Sequence, residues 1–237
     1  MYNLFLVQTI EAGRLASIQV VQRLKDIEPK YAEIQRLIIN FVYAAKYNLV
    51  QRKDEFYQQL FVTKEGSLVG SIALENELLF QLDNQLESVD RECLGMLRAI
   101  VDNNMNVAGV GYTNCANSVQ DGLDRELQRT HKLLELAGLD IFYQRLLDAF
   151  EGENIFAGPE RILAKLNSKS DEIDAVGIDY LSGFFDIVET FSSALWRLRN
   201  AYKMCLKTNE SILNLTFEAS QSQLTNICVG TLLNSDV

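Results

Sequence analysis

Basic charge is scarce in this 237-residue chain: 22 Lys and Arg stand against 32 Asp and Glu, a formal net charge of −10. No basic run or tail offsets that balance, so nucleic acid and anionic membrane surfaces are disfavoured as partners. Histidine is limited to His131, and the four cysteines contain no C-x-x-C pair. Multi-histidine metal centres, zinc ribbons and thioredoxin-type chemistry are thereby excluded, and no cofactor or metal is expected. Proline occurs only at positions 29 and 159, and glycine thirteen times, which leaves room for long unbroken elements. Long hydrophobic runs are missing too. The stretch around Ile38 to Ala45 is broken by Asn40 and followed by Lys46, well short of the roughly 18 residues of a membrane span, so no membrane insertion is expected. The start, Met1-Tyr2-Asn3 then Leu4-Phe5-Leu6-Val7, has no positive region, and its apolar run stops at Gln8. That is no signal peptide.

What is present is helical periodicity in a chain that is 48% apolar. Leu4, Val7, Ile10, Leu15, Ile18, Val21 and Leu24 form one stripe, which Pro29 is expected to end or restart. Ile34, Leu37, Ile38, Phe41, Ala45 and Leu49 form a second, up to a turn at Lys64-Glu65-Gly66-Ser67. Leu79, Leu82, Leu86, Val89, Cys93, Met96 and Ile100 alternate steps of three and four, a heptad seam with Cys93 on its buried side. Asp102-Asn103-Asn104-Met105-Asn106 reads as a turn, since Asn side chains compete for helical backbone groups. A fourth helix carries Cys115 and runs through Leu123 to a stop at Gly138. Gly152 and Gly158-Pro159 break the chain, Pro159 opening a brief helix before a loop at Asn167-Ser168-Lys169-Ser170. Phe184, Val188, Phe191, Leu195, Leu198, Tyr202 and Cys205 form a last heptad seam. No segment alternates as a strand does. The expectation is an all-α fold, an elongated bundle of about eight helices in a single domain, 1–237, stapled by two disulfides.

Shifting by 112 residues lays Leu79 to Cys93 onto Phe191 to Cys205, and Thr-Asn precedes both Cys115 and Cys228, at cysteine spacings of 22 and 23. This raises a pseudo-repeat with halves 1–120 and 121–237, against the plainer reading that any two seams superimpose. Cys93 and Cys115 are symmetric about Asn104, and Cys205 and Cys228 about Thr216 and Phe217. Two helix hairpins would therefore pair 93–115 and 205–228, the preferred choice among three connectivities. In a reducing compartment the four would instead be buried thiols.

No reaction is legible. His131 falls at the flank of its helical stripe with no nucleophile or acid assigned to it. Gly109-Val110-Gly111 lacks the third glycine, strand and lysine of a phosphate loop and reads as a flexible helix start. Glu151-Gly152-Glu153 and Asp171-Glu172-Ile173-Asp174 lack EF-hand spacing and read as solvated helix ends, Asp171 and Glu172 suiting an N-terminal turn after Ser170. Trp196 points away from its seam; packing on a neighbouring helix is expected, and anchoring of a protein partner is the alternative. The aromatics around Phe184-Phe185, Phe191, Tyr202, Phe41, Tyr43 and Tyr47 are expected in the core, with lining of an apolar cavity the alternative. Two sequons, at Asn209 and Asn214, lie between Cys205 and Cys228 and suit a glycosylated loop.

The segment from Cys93 to about Leu166, with Gly111-Tyr112-Thr113-Asn114-Cys115 and the later Ala137-Gly138, resembles the family of extracellular insect proteins typified by the tsetse midgut EP protein and related cysteine-containing fly proteins. The resemblance implies a secreted, helical, disulfide-bonded insect protein of gut, haemolymph, saliva or reproductive fluid, and brings no catalytic residues with it. The acidic-proline repeats of the type member are absent. Cysteine arithmetic and this resemblance together favour secretion over a cytoplasmic origin, Met1 then opening a mature chain whose signal peptide has been removed. The functional expectation is a secreted, non-enzymatic helical protein that binds a protein partner or forms a homodimer, in host interaction or defence. The alternative is a carrier of a lipid or small hydrophobic ligand between its helices.

Overall fold

The computed structural model describes residues 2–143, 145–176 and 178–230, with side-chain surroundings for 15–137, 145–176 and 181–230. Leu4, Val7, Ile10 and the Gly138 side of the resemblance fall outside the latter. Helix α1 spans Tyr2–Asp83, α2 Arg91–Tyr143, α3 Pro159–Asp174 and α4 Ile178–Gln223; a 3-10 turn occupies Leu146–Phe150, and a π turn, Leu224–Val229, extends α4. Among the described residues there are thus four α-helices and no strand, not about eight helices.

The breaks expected at Pro29, Gly66, Asn103 and Asn106 fail because those residues lie on a solvent face while the buried stripe runs on beneath. Pro29 is exposed, so the carbonyl it leaves unbonded faces water. Gly66, Asn103 and Asn106 are likewise exposed inside α1 and α2. The break between those helices falls instead within the seam read from Leu79 to Ile100. Leu79 and Leu82 belong to α1 and Cys93 to α2, while Leu86, Met96 and Ile100 are exposed. Asp90 starts α2: its carboxylate accepts the Glu92 N–H at 2.9 Å, which satisfies one of the free amides of the first turn.

The buried positions repeat every eleven residues. On α1, Ile27, Ile38, Leu49, Leu60, Ser71 and Leu82 are all buried at that interval; on α2, Val101, Tyr112, Leu123 and Leu134; on α4, Phe184, Leu195, Leu206, Phe217 and Cys228. Three turns per eleven residues is about 3.67 per turn, which favours a slight right-handed winding where a heptad would impose a left-handed one. Phe191, Tyr202, Leu213 and Leu224 add a second row on α4 with the same interval.

The chain divides into two compact units, each discontinuous in sequence: residues Met1–Val50 with Gln128–Phe191, and Gln51–Leu127 with Ser192–Val237. In the first, Val20, Ile27, Leu146, Ala149, Ile162, Leu166 and Ile173 form the core. There α3 runs parallel to α1, Arg23 donating to Asn167 at 2.8 Å and Lys30 pairing with Asp174 at 3.0 Å. Asn167 to Ser170 is therefore helix, not loop, and Asp171 to Asp174 form the last turn of α3, not the first turn of a following helix. Phe41 packs on Phe184 and Phe185, with ring centroids 6.4 and 5.7 Å apart.

The second unit is a three-helix bundle. Arg98 pairs with Asp83 at 2.9 Å, and the Ser71 and Tyr112 hydroxyls lie 2.6 Å apart, which sets α1 and α2 antiparallel. Arg199 donates to Gln59, and Gln221 to Gln81 at 3.0 Å, so α1 and α4 run parallel. Both cystines join α2 to α4: Cys93 with Cys228 and Cys115 with Cys205, at Cα separations of 5.7 and 5.8 Å. The hairpin pairings 93–115 and 205–228 are excluded, because 22 residues of helix hold two Cα atoms about 33 Å apart, far beyond the ~7 Å a disulfide tolerates. The matched spacings of 22 and 23 mark instead two rungs between antiparallel helices, two eleven-residue repeats apart. The 93–228 rung meets α4 within the π turn, where Cys228 continues the buried row of Leu206 and Phe217 and Ile227 is exposed.

Candidate functional site

A polar layer lies between the two rungs. Ser67 and Ser71 occupy core positions of α1, and their small size admits the Tyr112 ring; the Ser71 hydroxyl donates to the Ser67 carbonyl at 2.9 Å. Burial pushes the Tyr112 hydroxyl above its usual 10.0, partly offset by the Ser71 hydrogen bond and reinforced by the Glu210 charge. Burial alone does the same to Tyr202. A raised folded value means that the unfolded chain loses these protons first, so the stability they carry is complete below pH 10.0 and is lost as pH rises toward the folded values. Denaturant midpoints are expected to fall as pH rises past 10.0, and Tyr112→Phe with Tyr202→Phe should flatten that slope; an unchanged slope would count against the assignment.

Beside this layer Asn209 projects toward α2. Its amide donates to the Cys205 carbonyl at 2.9 Å and to the Cys115 sulfur at 3.4 Å, and a Cβ at Gly111 would fall on its side chain. Gly111 is thus a close-approach position inside α2, not part of a flexible helix start. The two sequons lie within helix α4, not in a loop. Asn209 presents its amide to the bundle and Asn214 is exposed. Peptide mapping of protein passed through a secretory pathway is expected to find Asn209 unmodified; a glycan there would contradict this packing.

His131 is exposed on α2. Glu153 receives Arg161 at 3.0 Å and Lys165 at 3.1 Å, so it is an ion-paired loop residue near the positive-φ Gly152. Among the described residues no group of three His, Cys, Asp or Glu is placed to hold a metal, and no helix is long and apolar enough to cross a membrane. Phe184, Phe191 and Tyr202 are core residues, whereas Tyr43 and Tyr47 are exposed. An apolar recess at the 115–205 cystine, walled by Val119, Leu198 and Tyr202, has a volume of about 70 Å³, room for about two waters at liquid density and not for a lipid chain.

Trp196 is not packed on a neighbouring helix: it is 59% exposed. It stands on the wall of a depression of about 180 Å³ between α1 and α4 of the second unit, with Arg52, Glu55, Gln59 and Arg199. Gln59 and Arg199 also wall an adjoining open depression of about 480 Å³, which reaches Val62 and Lys203. Three cations thus face one carboxylate on a chain of net charge −10. Arg52 spends part of its charge on Glu55, at 3.5 Å.

The same two helices form a further depression of about 250 Å³, and every residue lining it lies 22 positions beyond a counterpart in the first. Glu55 becomes Glu77 and Gln59 becomes Gln81, but Arg52 becomes Leu74, Trp196 becomes Glu218 and Arg199 becomes Gln221. The groove itself is a product of the eleven-residue repeat; what distinguishes its first occurrence is the indole and two guanidinium groups, the side chains that most often dominate protein interfaces. Sequence inspection singled out Trp196 but missed Arg52 and Arg199, because nothing local places a residue of α1 beside one 140 or more positions away. No family model, curated protein or solved structure matches the chain.

Proposed function

We propose that this is a secreted, non-enzymatic insect protein that acts by binding a protein partner through the α1–α4 groove of its second unit. The observation that carries the reading is the exposed Trp196 flanked by Arg52 and Arg199 in a concave site. What sets Trp196 apart from the other exposed apolar side chains is its concave setting between two Arg, the combination that most often anchors a protein interface, with Arg supplying directional hydrogen bonds around the indole. The two cystines and the resemblance to extracellular fly proteins support the extracellular setting.

The test is a benzophenone photo-crosslinker at Lys203, on the groove rim, in protein returned to the fluid of its native source. A defined adduct is expected that Trp196→Ala abolishes without changing the circular dichroism spectrum. An adduct indifferent to Trp196 would overturn the groove assignment, and four free thiols in native-source protein would overturn the extracellular one.

A further inference from the structure

We infer that the partner covering this groove is a second copy of the chain, laid antiparallel across the α1–α4 face; this rests on the groove reading above. The face carries two equivalent depressions with opposite charge. The first holds Arg52 and Arg199 beside Trp196, and the second presents Glu77 and Glu218 with no cation. An isologous two-fold contact needs a surface complementary to itself about a midpoint. Here the midpoint between the depressions falls near Gly66 on α1 and Lys207 on α4, the same level in the parallel register of those helices. Rotation about it sets the cationic end of each copy on the acidic end of the other, and Trp196 opposite Glu218.

The α1 side of the centre suits close approach. Gly66 and Gly70 have open space where a Cβ would stand, and Val62 and Val69 are exposed beside them. From Arg52 to Gln81 the face is about 44 Å long, and two packed helices present a width of about 18 Å. The resulting area, about 800 Å² per copy, equals that of a standard specific interface. Asn214 lines the acidic depression, so the dimer requires it to be free of carbohydrate.

Sedimentation equilibrium of the full-length, disulfide-bonded protein tests this. A monomer–dimer equilibrium is expected that weakens as salt rises from about 50 to 500 mM. Arg199→Glu and Glu218→Arg should each raise the dimer Kd about tenfold or more, and the double variant should recover most of the loss because the charges are exchanged across the axis. Unchanged circular dichroism verifies folding of each variant. A strict monomer, a dimer indifferent to both substitutions, a double variant weaker than either single one, or full glycan occupancy at Asn214 would each overturn the inference. Should the protein be monomeric while Trp196→Ala still abolishes a crosslink to a foreign protein, the groove reading stands and the second copy falls. Should Trp196→Ala change neither, both fall.

Discussion

Replacing Cys115 and Cys205 together by serine is expected to destabilise the second unit by about 3–4 kcal/mol, less than an isolated loop of 90 residues would give, because Cys93–Cys228 still closes the 135-residue loop around it. The two cystines are nested, so their contributions do not simply add. With 115–205 closed, 93–228 encloses only the short arms beyond it, and its removal should cost about 4 kcal/mol. Removing both should exceed the sum of the single losses, because either bridge left alone still confines part of the chain that the other confines. Trp196 is the only tryptophan and lies in the second unit, so guanidinium titration followed by its fluorescence reads this unit selectively. The Cys115→Ser, Cys205→Ser protein should also keep a Cys93–Cys228 peptide in a non-reducing map. Recovery of a 93–115 or 205–228 peptide from the wild-type protein would contradict the two-rung arrangement.

Leu123→Ala is expected to cost about 3–4 kcal/mol, whereas Met96→Ala should stay within about 0.5 kcal/mol. Leu123 is fully buried in the eleven-residue row of α2, so truncation leaves a cavity as well as losing transfer energy. Met96 is exposed, although a seven-residue seam drawn from Leu79 makes it a core position. The pair thus separates the two periodicities. Equal losses, measured by urea unfolding, would favour the heptad and undo the register on which the groove depends.

The all-α character was legible because apolar residues recur at three- and four-residue steps throughout, whichever longer period they obey. Over the two or three turns between obvious breaks, 3.5 and 3.67 residues per turn differ too little to distinguish. The distinction appears only across long unbroken helices, and those were hidden by the turn chemistry of Asn103, Asn106 and Gly66. Local propensity amounts to about 1 kcal/mol or less per residue, which a buried stripe on the opposite face outweighs. The α1–α2 connection failed to show for the converse reason: Leu86 continues the apolar rhythm across it but is exposed. Asp90, the cap, is the local signal of that connection. The cysteine spacings do not decide the pairing, since equal spacing on two helices is satisfied as well by rungs as by hairpins. Trp196 was visible from its projection, but its neighbours depend on a helix register that only the fold supplies.

The two rungs have a further consequence in the chemistry of degradation. Each peptide bond across the 135-residue span from Cys93 to Cys228 is bypassed by at least one sulfur bridge. A single hydrolysis anywhere within it, including the Glu151 to Gly158 connection, leaves one covalent molecule. Nicked protein should keep its full mass on a non-reducing gel and separate into two fragments only after reduction. Wherever proteases reach it, that turns the first proteolytic hit from a loss of parts into a scar.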